Sequence, residues 1–499
     1  MSIMELSSWS SDSGKTRQLH VMMFPWLAHG HISPFVELSK RLAHKGINIS
    51  FLSTPQNIAK IRPSFADYQN TPGINVQLLE LPLPFVKGLP PVIESTADLP
   101  THLMPLLLEA VNGLEKPFER LLHELSPDCV LFDFAQDWAP SVASKLGIPT
   151  IFFIIYGAAY FSYDFSPSRG EDKQFRVEDL IIPPPGYPSS AVSLRLSEAF
   201  PRINAFYGND YRQDMRIIDH VLRCYDGQAI AIKSCYELEG KFIEYFEKVT
   251  GKQVFSVGPL LPDDLNGHRP GLTYKDLSES DTHWSRWLEK QAPSSVVFAS
   301  FGSEYFLSKE QIRELTLGLE ESQLPFVLVL RVPSYSEEGI HEDQQRQVSA
   351  SLPEGFESRI QNKGFIISGW APQKEILSHP STGAFLTHCG WSSLMEGMGL
   401  GLPLIALPMQ LDQGLNARLI AEELKVGVEV GRAIDGSFSR DEVCKAVRMV
   451  MVEDDGREVR SKAKQMGDLF RTSILPTNGS QSRYIDKFII HLLSFKKKI

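Results

Sequence analysis

At 499 residues the chain exceeds what one ordinary hydrophobic core supports, so two domains of roughly 200–250 residues each are expected. Composition is that of a globular protein, 42% hydrophobic and 22% charged. A net charge of −10 with no basic stripe argues against a nucleic-acid partner.

Residues 1–17 are Ser-rich and polar, lack the apolar core of a signal peptide, and are expected to form a disordered tail. Leu19–Phe24 is a strand candidate. Ser33 then reads as a helix N-cap with Pro34 at the first helical position, Phe35, Leu38 and Leu42 on one face, and Gly46 as the stop. Ile47–Leu52 and Cys129–Phe132 are further strands, the second followed by a helix over Trp138–Leu146. The most apolar run, Thr150–Phe165, is broken by Gly157, Ser162 and Asp164 and is too short to span a bilayer. It reads as a buried strand followed by pocket-lining residues, and no stable membrane insertion is expected. Proline-rich Leu81–Pro100 and polar Ser166–Pro201 are long loops suited to the mouth of a binding site.

A second alternating series follows: Ser295–Ser300, Phe326–Leu330, Phe365–Ile367, Ala384–Thr387, Leu404–Leu407 and Val426–Val430. Strands alternating with helical patterns imply parallel βαβ units. The expected organisation is one α/β unit over 18–257, a linker over 258–282, a second unit over 283–480, and a helical segment over 481–499 packing back toward the first. Five scattered cysteines (Cys129, Cys224, Cys235, Cys389, Cys444), odd in number and without metal spacing, read as reduced thiols of a cytoplasmic protein.

In open parallel sheets ligands bind beyond the C-terminal ends of strands. Singular polar residues fall there: His31, Asp133, Ser303, Trp370, His388, and the pair Asp412 and Gln413. If the two units face each other, these side chains converge on one cleft. His388-Cys389-Gly390-Trp391-Ser392-Ser393 opens a helix directly after a strand, where free N–H groups bind phosphate oxygens. Glu396, one turn in, would repel phosphate but accept from ribose hydroxyls. Ser393 to Glu396 is also a capping box, which needs no ligand. A nucleophile pair of His388 and Cys389 is weak, because consecutive residues do not face each other. The glycines at Gly397, Gly399 and Gly401 lack dinucleotide spacing. No D-x-D pair is present to hold a metal, and neither metal nor cofactor is expected.

Trp370 to Gln413 reads WAPQKEILSHPSTGAFLTHCGWSSLMEGMGLGLPLIALPMQLDQ. This stretch resembles the 44-residue signature of plant secondary-product UDP-glycosyltransferases, and FPWLAHGHISP, VGPLLP and VVFASFGS agree with it. The resemblance implies the α/β GT-B fold, two Rossmann-like domains whose parallel sheets face each other across a cleft, with acceptor in the first and UDP-sugar in the second. It implies that Trp370 stacks on uracil, with Ala371 and Gln373 at its polar edge, and that Glu396 holds the ribose. Ser303, His388, Ser392 and Ser393, on the helix start that includes Gly390, would bind the diphosphate. Trp391, Asp412 and Gln413 would contact the sugar. His31 would be the catalytic base and Asp133 its partner, giving an inverting, metal-independent transfer in which UDP-sugar is a co-substrate. A monomer is expected.

Many members of that family carry Asn where this chain has Ser392. Ser392, with DQGLNAR at Asp412–Arg418, is similar to the branch that adds sugar to sugar, which implies a flavonoid or terpenoid glycoside as acceptor. Gln413 implies glucose, with rhamnose, xylose or glucuronic acid donors and direct transfer to an aglycone as alternatives. A non-catalytic nucleotide-sugar binder and an oxidoreductase are the competing classes; the first needs neither His31 nor Asp133, and the second lacks its glycine fingerprint.

Overall fold

The computed structural model describes residues 18–261, 283–474 and 480–496, save 70, 97, 98, 100, 170–174, 208–213, 226, 228, 333, 334, 337, 338 and 341–343. The expected tail and nearly all of the expected linker lie outside the described residues.

Short apolar runs form the first sheet: β1 (His20–Phe24), β2 (Asn48–Ser53), β3 (Val76–Glu80), β4 (Cys129–Phe132), β5 (Thr150–Ile154), β6 (Ala229–Ile232) and β7 (Gln253–Ser256). Their spatial order is β3-β2-β1-β4-β5-β6-β7, parallel throughout. Central strands such as β4 and β6 are buried along their whole length, as parallel strands covered on both faces by helices must be. A second sheet holds β8 (Val296–Ser300), β9 (Phe326–Leu330), β10 (Gly364–Ser368), β11 (Thr382–Thr387), β12 (Leu404–Ala406) and β13 (Gly427–Glu429). It is also parallel, in the order β10-β9-β8-β11-β12-β13.

In both sheets the chain runs outward from the first strand and returns beside it, at β4 and at β11. That reversal leaves a crevice at the C-terminal ends of the central pair. One apolar cluster runs from Phe24 and Phe132 through Ala158 and Phe242 to Trp391 and Leu394, so the two sheet units share a core. The final helix, Ser480–Leu493, buries Ile485, Phe488 and Leu492 in the cluster behind β1 and β2. Among the described residues, no helix is long and apolar enough to cross a membrane.

Two expectations need correction. The first helix spans His29–His44 and begins after Ala28, so Ser33 is not its N-cap and Pro34 lies inside it. The amides of His31 and Ile32 both donate to the Ala28 carbonyl, closing the first turn five residues early. Pro34 then leaves the Gly30 carbonyl without its helical donor, a loss outweighed by burial of Phe35, Leu38 and Leu42. Ser166–Pro201 is not all loop either: a helix over Leu196–Tyr207 starts within it, with Pro201 inside.

Candidate active site

His31 occupies the first turn of the helix after β1, and Asp133 is the residue immediately beyond β4. Because β1 and β4 are adjacent, these two positions meet at the switch point of the first sheet. His31 Nδ1 lies 2.7 Å from Asp133 Oδ2. The same carboxylate accepts from the Trp26 amide at 3.1 Å and the Phe134 amide at 2.8 Å. Asp133 therefore both caps the short helical turn that follows it and anchors the imidazole. A carboxylate can only accept, so Nδ1 carries the proton and Nε2 presents its lone pair to the cleft. Burial alone would lower the His31 pKa, but the Asp133 charge and hydrogen bond, with Glu304 and Asp412 further off, raise it above the ordinary 6.5. Tyr156, at the end of β5, puts its hydroxyl 3.3 Å from Nε2. His29, two residues from His31, faces another way: its ring meets Trp370 edge-on at 4.9 Å across the cleft. The residue keeps exposed surface; shielding by the cleft walls, and then the nearby Lys374, Lys60 and Arg331 charges, lower its pKa.

On the opposite side, β8 and β11 end at the second switch point. Ser303 follows β8, while His388 follows β11 and precedes the helix Trp391–Leu400. The N-cap of that helix is Gly390, so the capping box expected at Ser393–Glu396 does not form. Gln373 takes over those side chains, its amide donating to Glu396 at 2.7 Å and to Ser393 at 3.3 Å. A Cβ on Gly390 would sit 2.5 Å from His388 Nε2, and one on Gly302 would sit 2.6 Å from it. The imidazole is thus wedged between two glycines, where burial pushes it down to about 4 and, among the described residues, Nδ1 has no hydrogen-bond partner. Cys389 is buried, and burial raises its thiol well above the usual range, which removes it as a nucleophile.

Trp370 stands 62% exposed, an indole face open for stacking, with Ala371 half-buried beside it. Asp412 and Gln413 are buried at the start of the helix Gln413–Arg418. Asn416 Nδ2 donates to Asp412 at 2.6 Å, and burial raises that carboxyl to about 7. Gln413 Oε1 accepts from the Met409 and Gln410 amides at 2.9 and 3.0 Å, which turns its amide nitrogen outward as a donor. Trp391 is buried in the contact between the two sheet units, its indole N–H donating 2.7 Å to the Lys233 carbonyl.

Several site residues escaped the sequence reading. Tyr156 is one. Glu304, next to Ser303, accepts from Thr96 Oγ1 at 2.7 Å across the cleft. Arg202 pairs with Asp164 at 2.7 Å and donates to the Leu411 carbonyl at 2.8 Å, fixing the loop that presents Asp412. Lys233, directly beyond β6, reaches Ser392. The rule that found Asp133, a polar residue closing an apolar strand, also selects Lys233.

Two family descriptions match the chain: UDP-glucoronosyl and UDP-glucosyl transferase over residues 295–459, and glycosyltransferase, N-terminal domain, over 17–184. The sequence is 38% identical over 464 residues to Mogroside IIIx synthase of Siraitia grosvenorii, covering 92% of this chain and 96% of the relative. It is 35% identical over 487 residues to anthocyanidin-3-O-glucoside rhamnosyltransferase of Petunia hybrida, covering 96% and 97%. Its structure is similar to that of Glycyrrhiza uralensis UGT73P12 complexed with glycyrrhetinic acid 3-O-monoglucuronide, with a TM-score of 0.79, 27% identity and 96% of each chain covered.

Proposed function

The chain belongs to the plant family of UDP-glycosyltransferases, GT-B enzymes that move a sugar from a UDP-sugar, and on that premise we propose that it transfers glucose, with inversion, to a sugar hydroxyl of an existing flavonoid or terpenoid glycoside. The observation that carries this reading is the buried His31–Asp133 pair, whose imidazole lies at the cleft within the influence of Glu304 and Asp412 from the opposite unit.

In this mechanism the acceptor hydroxyl replaces Tyr156 at His31 Nε2. As its oxygen attacks the anomeric carbon, the proton passes to Nε2, and Asp133 stabilises the imidazolium. The carbon–oxygen bond to UDP breaks with its electron pair leaving on the β-phosphate. Amides at Gly390–Ser393 and the hydroxyls of Ser303, Ser392 and Ser393 receive that charge. Trp370 stacks on uracil, Ala371 and Gln373 take its edge, and Glu396, aligned by Gln373, accepts from the ribose. Asp412 and the outward amide of Gln413 hold the sugar. No metal or cofactor takes part.

A glycoside acceptor is supported by two relatives. The Petunia enzyme is named for a glucoside substrate, and UGT73P12 was crystallised with a monoglucuronide. The carboxylate at Glu304, across the cleft from Thr96, suits an acceptor rich in hydroxyls. The Petunia relative also supports UDP-rhamnose as an alternative donor. A matrix of UDP-glucose, UDP-rhamnose, UDP-xylose and UDP-glucuronic acid against aglycones and their monoglucosides, read by mass spectrometry, tests both points. Faster turnover of aglycones than of glucosides would overturn the sugar-on-sugar reading, and full activity in His31→Ala would overturn the mechanism.

A further inference from the structure

Lys233 follows the last residue of β6, in the first unit, yet its functional contacts lie in the second. Its side chain is 3% exposed, and its Nζ donates 2.7 Å to Ser392 Oγ in the first turn of the helix Trp391–Leu400. Its own carbonyl accepts from the Trp391 indole, so one residue grips two consecutive residues of that helix start. Ser392 and Glu396 are four apart and share a face of the helix, and Glu396 is the strongest acidic influence on Lys233, followed by Glu37, with Arg41 opposing them. The hydrogen-bond partner of the ammonium is nonetheless a neutral hydroxyl.

A cation this buried is costly unless an anion compensates it. The cost registers here: burial lowers Lys233 to about 8 despite the two glutamates. An ammonium has three donors, and among the described residues Ser392 takes the one hydrogen bond that Nζ makes. The adjoining helix start has free amides of its own and favours negative charge, and His388 Nδ1, buried there, makes no hydrogen bond among the described residues.

We propose that Lys233 is a ligand of the donor diphosphate contributed by the acceptor-side unit, so that the packing of the two units against each other completes the binding site for the UDP leaving group. This rests on the diphosphate lying at the Gly390–Ser393 helix start. Lys233 brings a full charge where Ser392 brings only a hydroxyl, and it helps hold the electron pair that UDP takes with it when the bond to the sugar breaks.

Calorimetric titration of the full chain with UDP and with uridine tests the assignment, using Lys233→Met, Lys233→Gln and Lys233→Arg. A charge-assisted bond to phosphate corresponds to roughly a ten- to hundredfold change in affinity. Lys233→Met should lose about that factor for UDP, leave uridine within threefold, and raise KM for UDP-sugar. Lys233→Arg should restore UDP binding to within a few fold. Should the methionine variant fail to fold, Lys233→Gln, which keeps a donor for Ser392 and no charge, provides the same comparison. Equal losses for UDP and uridine would mean that Lys233 merely supports the interface, and unchanged UDP affinity would mean that it does not reach the phosphates; either result overturns the proposal. If the wild-type protein itself fails to prefer UDP over uridine, the placement of the diphosphate at the helix start fails instead.

Discussion

Replacing Asp133 tests the catalytic pair most directly, because asparagine and alanine break it in different ways. Asp133 accepts three hydrogen bonds, one from each of His31 Nδ1, Trp26 N and Phe134 N. Asparagine has one acceptor oxygen in place of two. If that oxygen stays on the Phe134 amide, the new NH2 points at His31 Nδ1, and the ring must move its proton to Nε2. The base then faces the acceptor already protonated, a tautomer error of the kind that costs about 10⁴ in serine proteases. Alanine removes the charge but leaves the tautomer free. Truncating one partner of a buried hydrogen-bonded charge pair costs about 2–5 kcal/mol, or some thirty- to several-thousandfold in rate. Asp133→Asn should therefore be at least as slow as Asp133→Ala.

The pH profile supplies the sign. Wild-type kcat/KM should fall as pH drops through a midpoint above 6.5, since the raised imidazole must be neutral to act. In Asp133→Ala, burial lowers the imidazole with only Glu304 and Asp412 opposing it, so the acid limb should move to lower pH while the plateau falls. Initial rates from pH 5 to 9, with UDP release coupled to a dye, measure both. An Asp133→Asn enzyme with wild-type kcat, or an acid limb unmoved in Asp133→Ala, would refute the pairing.

Trp370→Ala should weaken UDP and uridine alike by roughly five- to a hundredfold, the loss of one base–aromatic stack worth about 1–3 kcal/mol, as read by calorimetry. Asp412 ionises near pH 7, so if its carboxylate accepts from the sugar, KM for UDP-sugar should fall as pH rises through 7; Asp412→Asn should flatten that dependence and leave UDP affinity unchanged. Gly390→Ala should abolish turnover, because the new Cβ lands 2.5 Å from the His388 ring, with circular dichroism showing a folded protein. Phe488, fully buried, anchors the final helix against the first unit; Phe488→Ala should cost about 3–5 kcal/mol, seen as a lower urea midpoint.

Much of this molecule could be read directly from its residues. Apolar runs of four to six residues separated by helical periodicity identified the central strands, because a strand buried on both faces cannot hide a polar side chain. The rule that ligands gather beyond strand ends then picked out His31, Asp133, His388 and Asp412. Local cues misled where tertiary packing overrode them. Pro34 looked like a helix start, yet the apolar stripe from Ile32 to Leu42 extended the helix past it. Ser393 and Glu396 looked like a capping box, yet Gln373, brought in from twenty residues away, occupies both.

What belongs to the chain alone is the pair of parallel sheets and the side chains closing their strands, since periodicity and strand-end position are properties of neighbouring residues. Only the tertiary structure decided which of those side chains meet. It set His31 rather than His29 on Asp133, turned Tyr156 toward the imidazole, and carried Lys233 across to Ser392. These contacts join residues more than a hundred positions apart, and no local pattern encodes them: the first two depend on which strands lie side by side in the first sheet, and the third on how two independently patterned sheets are brought face to face.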